Sequence, residues 1–236
     1  ALYIVVVLIL LSMLVALWAS RSAIFNELTA GNDADYQRAF EAAQAMTQDA
    51  QDDLYRHLYD SSKTKIRTSA QMIPAAAADL NANWLMSLST QPQQCLYALC
   101  LRRGVEDFWS DPTSLEAMLA LGARYGQYSG AKISGSNTIT PPNPILNFTD
   151  TNKGAWYWIE PLSNGDYASK EAFATGNLSN LTSGTIAPVS NTDMLYRITA
   201  LAFGIKGSSS STAFKDHSPT MAVIQTIISF PSNTGE

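Results

Sequence analysis

Residues 1–20 constrain this chain more than any other stretch. They read Ala-Leu-Tyr-Ile-Val-Val-Val-Leu-Ile-Leu-Leu-Ser-Met-Leu-Val-Ala-Leu-Trp-Ala-Ser, with no charged side chain, proline or glycine. As a helix this run is about 30 Å long, the thickness of a bilayer hydrocarbon core. Leu2, Tyr3, Ile4, Val5, Leu8, Leu11 and Val15 lie within it, and Trp18 and Arg21 mark one end as a water interface would. The next most apolar run, residues 221–230, is short and contains Gln225 and Thr226. The sequence begins at Ala1, directly in the apolar run. A secretory signal is removed together with its apolar segment. The expectation is therefore that a short basic leader is cut off and the apolar helix stays; a trimmed signal anchor is the plainer alternative.

The helical pattern does not stop at Arg21. Phe25, Leu28, Tyr36, Ala39, Ala43, Met46, Ala50 and Leu54 recur at three- and four-residue steps, with one skip at Asn32. Small residues are dense over 39–50, and no proline occurs before Pro74. Gly31 is a local weakness worth about 1 kcal/mol relative to Ala. The spacing predicts one helix over residues 1–54, about 80 Å long. Between Glu27 and Asp60 there are eight acidic residues against Arg38 and Arg56, which reads as a solvated helix face.

Residues 55–236 are the expected head, and about 180 residues suffice for one domain with a core. The net charge of −5 argues against a general nucleic-acid surface. Residues 60–71 are polar and basic, a loop or a short edge strand. Pro74 followed by four alanines reads as a helix start, with Trp84, Leu85 and Leu88 as its buried side. Asp111-Pro112 is a second helix entry, leading through Leu115, Met118, Leu119 and Leu121 to an end near Gly126. Residues 74–126 thus look like a helical insertion, and 130–152, rich in Ser, Thr, Asn and Pro, like a long surface loop.

Cys95 and Cys100 are the only cysteines. An even count beyond a membrane favours one disulfide, which needs a turn between them and contributes roughly 2 kcal/mol. Free buried thiols and a metal site are the weaker alternatives. A zinc site needs more ligands, and His57 and His217 are distant in sequence.

Three strands follow: residues 155–160, stopped by Pro161; residues 195–203; and residues 221–228. Residues 163–166, 175–191 and 208–219 read as turns and loops. Over 155–230 the strands form an antiparallel sheet able to wrap the C-terminal half of the long helix. Trp156 and Trp158 share one side of a strand, which reads as core before it reads as a sugar platform. Asn147, Asn177 and Asn180 open glycosylation-type triplets at the frequency chance allows. No nucleophile–base spacing, phosphate loop or metal cluster is present, so neither an enzyme nor a cofactor is expected. His57 and His217 read as a helix residue and a turn residue.

The uncharged helix with a polar, amphipathic continuation resembles the type IV pilin family. In that family a prepilin peptidase cuts before the helix, and the new N-terminus, here Ala1, is methylated. Two further patterns are similar to PilX-type minor pilins. One is Arg38-Ala39-Phe40-Glu41-Ala42-Ala43-Gln44-Ala45, with Gln44 where the family has Glu. The other runs from Trp158-Ile159-Glu160 through Tyr196, Arg197, Ile198, Thr199, Ala200 and Gly204 to Gln225 and Thr226. Residues 74–152 have no counterpart. Most pilins carry Glu at the fifth mature position; here that position is Val5, and the first carboxylate is Glu27. Within the family, loss of this Glu resembles subunits at the filament tip.

The resemblance implies an α+β pilin fold, a long helix on an antiparallel sheet with a helical insertion. It implies a structural minor pilin that starts pilus assembly, with its apolar helix in the inner membrane and then in the filament core. Implied partners are other minor pilins, the major pilin, a PilY-type tip adhesin, the prepilin peptidase and the assembly platform. Implied roles extend to cell adhesion and twitching motility. A tip pseudopilin of type II secretion, which also lacks the early Glu, is one alternative. A membrane-anchored sensor or ligand-binding domain is another.

Overall fold

The computed structural model describes residues 2–58, 66–68, 71–75, 82–101, 107–134, 137–163, 194–206 and 220–230. Its first element is one unbroken helix, α1 (Leu2–Leu58). The absence of proline lets it run on, and the alanines of its second half favour it. Ala39, Ala42, Ala43, Met46, Ala50 and Leu54 are fully buried against the head. Phe25, Leu28 and Tyr36 are exposed, so the head covers only the C-terminal part of the apolar stripe, from Asp35 onward.

The next elements are α2 (Ala82–Ser89), β1 (Cys95–Leu96), β2 (Leu99–Cys100) and α3 (Pro112–Leu119). Then come β3 (Ile133–Ser134), β4 (Asn137–Thr138), β5 (Ala155–Ser163), β6 (Met194–Phe203) and β7 (Met221–Phe230). The main sheet has the order β1-β2-β5-β6-β7. Strands β5, β6 and β7 form the expected antiparallel meander, with Trp158 opposite Thr199 and Ala200 opposite Ile224. The sheet as a whole is mixed, not antiparallel, because β2 joins β5 in parallel at Leu99 and Ile159. The segment 74–126 is accordingly more than a helical insertion, since its β1–β2 hairpin extends the sheet.

Pro161 lies inside β5 instead of ending it. The amides of Tyr157 and Ile159 point away from β6, to Ala123 and Ala98. Pro161 is in phase with them, so its missing N–H removes no bond to β6.

Alternation gives the sheet two buried faces. Tyr157, Ile159, Tyr196, Ile198 and Ala200 pack with α1. Trp156, Trp158, Leu201 and Phe203 pack on the opposite side with Phe108, Leu115 and Met118. The Trp158 indole donates to the Met118 carbonyl at 3.1 Å. Both tryptophans are therefore core residues, covered by α3 and not open as a platform.

Asp111 caps α3 as expected, accepting from the Ser114 amide at 2.8 Å. The helix ends at Leu119, well before Gly126. Gly122 follows it closely because a Cβ there would strike the Trp158 ring. Residues 72–75 are non-helical, so Pro74 does not open a helix; α2 begins at Ala82 with Leu85 and Leu88 buried and Trp84 half-buried. The stretch 130–152 is not merely a surface loop. It holds the β3–β4 hairpin and a 3₁₀ turn, Pro144–Asn147, whose Ile145 and Leu146 are buried. Arg124 organises it, stacking 3.9 Å over Trp156 and donating to the Lys153 carbonyl at 2.7 Å. The turn expectations over 164–166, 175–191 and 208–219, together with His217, Asn177 and Asn180, lie outside the described residues.

Candidate functional site

Two features of α1 meet at its middle: an uncovered apolar half and a half locked to the head. Ala1 lies outside the described residues. Leu2, Tyr3, Ile4, Val5, Leu8, Leu11, Val15 and Trp18 are all exposed, Tyr3 at 81% and Trp18 at 73%. By length and composition α1 is the one helix among the described residues able to cross a membrane. The described residues of the head give the apolar half no cover, and lipid or the helices of other chains would supply it.

The locked half depends on three aspartates that the acidic run conceals. Asp35, Asp49 and Asp53 are buried, which corrects the reading of that run as a solvated face. They fall in phase with Ala39, Ala42, Met46, Ala50 and Leu54, and that shared spacing was the available signal. Each carboxylate ties the helix to a different part of the head.

Asp35 accepts from the amides of Ile205 and Lys206, at 2.8 and 3.1 Å. Gly204 is required here. A Cβ would run into the Asp35 carboxylate and Thr220. The Lys206 ammonium lies over Gly31, so the helix's only glycine is a place of close approach as well as a weak point.

Asp49 accepts from the Gly126 amide at 2.8 Å and from the Ser129 hydroxyl. No cation hydrogen-bonds it among the described residues, and burial pushes its carboxyl up to about 6 from 3.8.

Asp53 receives the Arg67 guanidinium, with Nη2 at 2.7 Å and Nε at 2.8 Å, and the Tyr157 hydroxyl at 3.0 Å. Arg67 stacks 3.9 Å over Tyr128 and donates to the Tyr97 carbonyl at 3.1 Å. Desolvation pulls the Arg67 pKa down, but the bonds and charge of Asp53 raise it further, so the net direction is up. Burial and the adjacent Asp53 charge push the Tyr157 phenol well above its usual value. The stretch 60–71, read as a loop or edge strand, thus supplies a buried cation.

Cys95 and Cys100 form a disulfide across the β1–β2 pair. The turn it needs is made by Tyr97 and Ala98, both in the left-handed region at φ 54° and 63°. Two such residues in succession define a type I′ hairpin. Ala98 also bonds Leu121 and Ile159 through its backbone.

The residues of the C-terminal strand pattern do structural work. Tyr196, Ile198 and Ala200 face α1, and the Tyr196 hydroxyl donates to the Pro74 carbonyl at 2.5 Å. Arg197 pairs with Glu160 on the far face, and Gln225 donates to Thr199 at 3.1 Å. His57 is half-buried near the end of α1 and accepts from the Ile73 amide at 3.1 Å. Among the described residues no group of three or more His, Cys, Asp or Glu could hold a metal ion. Among the described residues the arrangement is a rigid mount for an uncovered apolar helix. No protein-family model, curated protein or solved structure matches the chain.

Proposed function

We propose that this chain is a minor pilin of the PilX type, a structural subunit that helps begin a type IV pilus and sits at or near its tip. The observation that supports this reading best is α1 itself. A simple membrane anchor has no need of an apolar segment continuing without a break into the core helix of the head. A filament subunit does, because the head must be held at a fixed distance and angle from the packed helices. The aspartates on one helix face supply that rigidity. The helix carries no carboxylate before Glu27, which suits a subunit that need not neutralise a neighbour's amine. In this role the head meets other minor pilins, the major pilin and a PilY-type adhesin. The chain resides first in the inner membrane and then in the extracellular filament.

The segment 74–126 favours one second reading, a tip pseudopilin of type II secretion, since that class commonly carries an insertion in the head. Deletion of the gene separates the two. Loss of surface pili with secretion intact supports the minor pilin; loss of secretion with pili intact supports the pseudopilin. Mass spectrometry of the purified chain tests the class itself. Cleavage just before the apolar helix, with N-methylation of the new terminus, is expected, and an intact leader in piliated cells would overturn the pilin reading.

A further inference from the structure

We infer that the free edge of β7 is a docking edge for an extended, uncharged segment of a neighbouring pilus subunit. The inference rests on the proposed function for the identity of the partner, but its geometry stands alone. Among the described residues the sheet ends in β1 on one side and β7 on the other. The β1 edge is two residues long and tied by the disulfide. The β7 edge is ten residues long. Exposed edges are normally blunted by charge, proline, a bulge or shortness. Residues 221–230 contain no charged residue, proline or glycine, and their register with β6 is continuous from Met221 to Phe230, without a bulge.

The direction of every β7 amide follows from the ladder. Tyr157 and Ile159 donate away from β6, so Trp156, Trp158 and Glu160 bond β6. Their partners Leu201, Thr199 and Arg197 therefore bond β5, and the even-numbered residues of β6 bond β7. The Gly204 amide, donating to the Thr220 carbonyl, obeys the same phase. In β7 the even-numbered residues from Ala222 to Ile228 thus face β6. The N–H and C=O groups of Met221, Val223, Gln225, Ile227 and Ser229 point outward, unpaired by any described strand.

Such a row is matched by another extended backbone, which adds a strand to the sheet. The side chains limit what that strand holds. Gln225, Ile227 and Ser229 are exposed, and Ile227 at 60% is the most exposed large apolar side chain of the described head. A β-branched or apolar residue opposite Ile227 gains most, and a charge there would be desolvated without a partner.

Proline at an outward position tests this without breaking the ladder. Ile227→Pro and Ser229→Pro each delete one outward N–H and no bond to β6, whereas Thr226→Pro deletes a bond to β6. In full-length protein in detergent micelles, the amides of Val223, Gln225 and Ile227 should exchange about tenfold or more faster than those of Ala222, Ile224 and Thr226. Slow exchange at all six would mean that the chain covers its own edge, and would overturn the inference. A micellar dimer that Ile227→Pro dissociates would make the occupant a second copy and would overturn it as well. In cells lacking the gene, wild type should restore pili, while the two outward variants should melt like wild type and fail to restore them. Full restoration by both outward variants refutes the docking edge while the pilin reading stands. A deletion that leaves piliation unchanged refutes the pilin reading and, with it, the partner named here.

Discussion

Asp49 couples the helix–head junction to pH. Its carboxyl is raised to about 6 by burial, with smaller contributions from Asp53 and Asp52 on the same helix. Lys132 and Tyr125 on the facing loop sense its charge. Between pH about 4 and 6 the folded chain holds a proton on Asp49 that the unfolded chain has released, so this group's contribution to stability falls as pH rises. The difference corresponds to a loss on the order of 2–3 kcal/mol across that window. Asp49→Asn keeps an acceptor for Gly126 and a donor for Ser129. It should unfold with a flatter pH dependence over that window than wild type, read from denaturant midpoints. A matching slope in both proteins would remove Asp49 from the account. Arg67 behaves differently because it leaves a partner behind. Arg67→Met strands the buried Asp53 carboxylate and should cost about 3–5 kcal/mol at neutral pH. Adding Asp53→Asn should restore much of that loss, so the double variant should melt above the single one.

At the scale of elements, the β1–β2 hairpin is held from several sides. Tyr97 and Ala98 sit in a conformation that L-residues disfavour by about 1–2 kcal/mol each. The disulfide, the Ala98 backbone bonds and the Arg67 bond to Tyr97 oppose that cost. Cys95→Ser with Cys100→Ser should lower stability by roughly 2 kcal/mol. Chemical unfolding with and without reductant measures it, and the double variant should become insensitive to reductant. Loss of the hairpin should be felt at Ile159, whose amide donates to Ala98 at 2.8 Å. Hydrogen exchange at that amide reports the coupling.

For the whole molecule, the decisive quantity is the uncovered area of α1. Val5→Glu introduces a carboxylate where lipid or packed helices are expected. On insertion scales it costs about 2–3 kcal/mol, and Leu8→Glu should do the same. On the proposed function, the expected result is less protein in the inner-membrane fraction and fewer pili, with adhesion per pilus unchanged. Normal piliation with Val5→Glu, and labelling of the subunit along the whole shaft, would refute the tip assignment.

The long helix, its apolar half and the three C-terminal strands were legible in residues 1–54 and 155–230 because they depend on short periods that local sequence records. The asparto-capped α3 and the cysteine pair were legible for the same reason: each is settled within a few residues. Other features arise from contacts between distant segments. Asp53 and Arg67 are 14 positions apart, Asp49 and Ser129 are 80, and Asp35 and Ile205 are 170. No local window distinguishes an aspartate aimed at solvent from one aimed at a loop that far away. The parallel addition of β2 and the passage of β5 through Pro161 belong to the same class, since both depend on which neighbour lies beside the strand. The sequence by itself determined that this chain has a helix too apolar to be left in water, because that property is a sum over adjacent residues. Only the tertiary structure decided which carboxylates that helix buries and how the strands are ordered in the sheet, because burial and pairing are set by segments that meet only on folding.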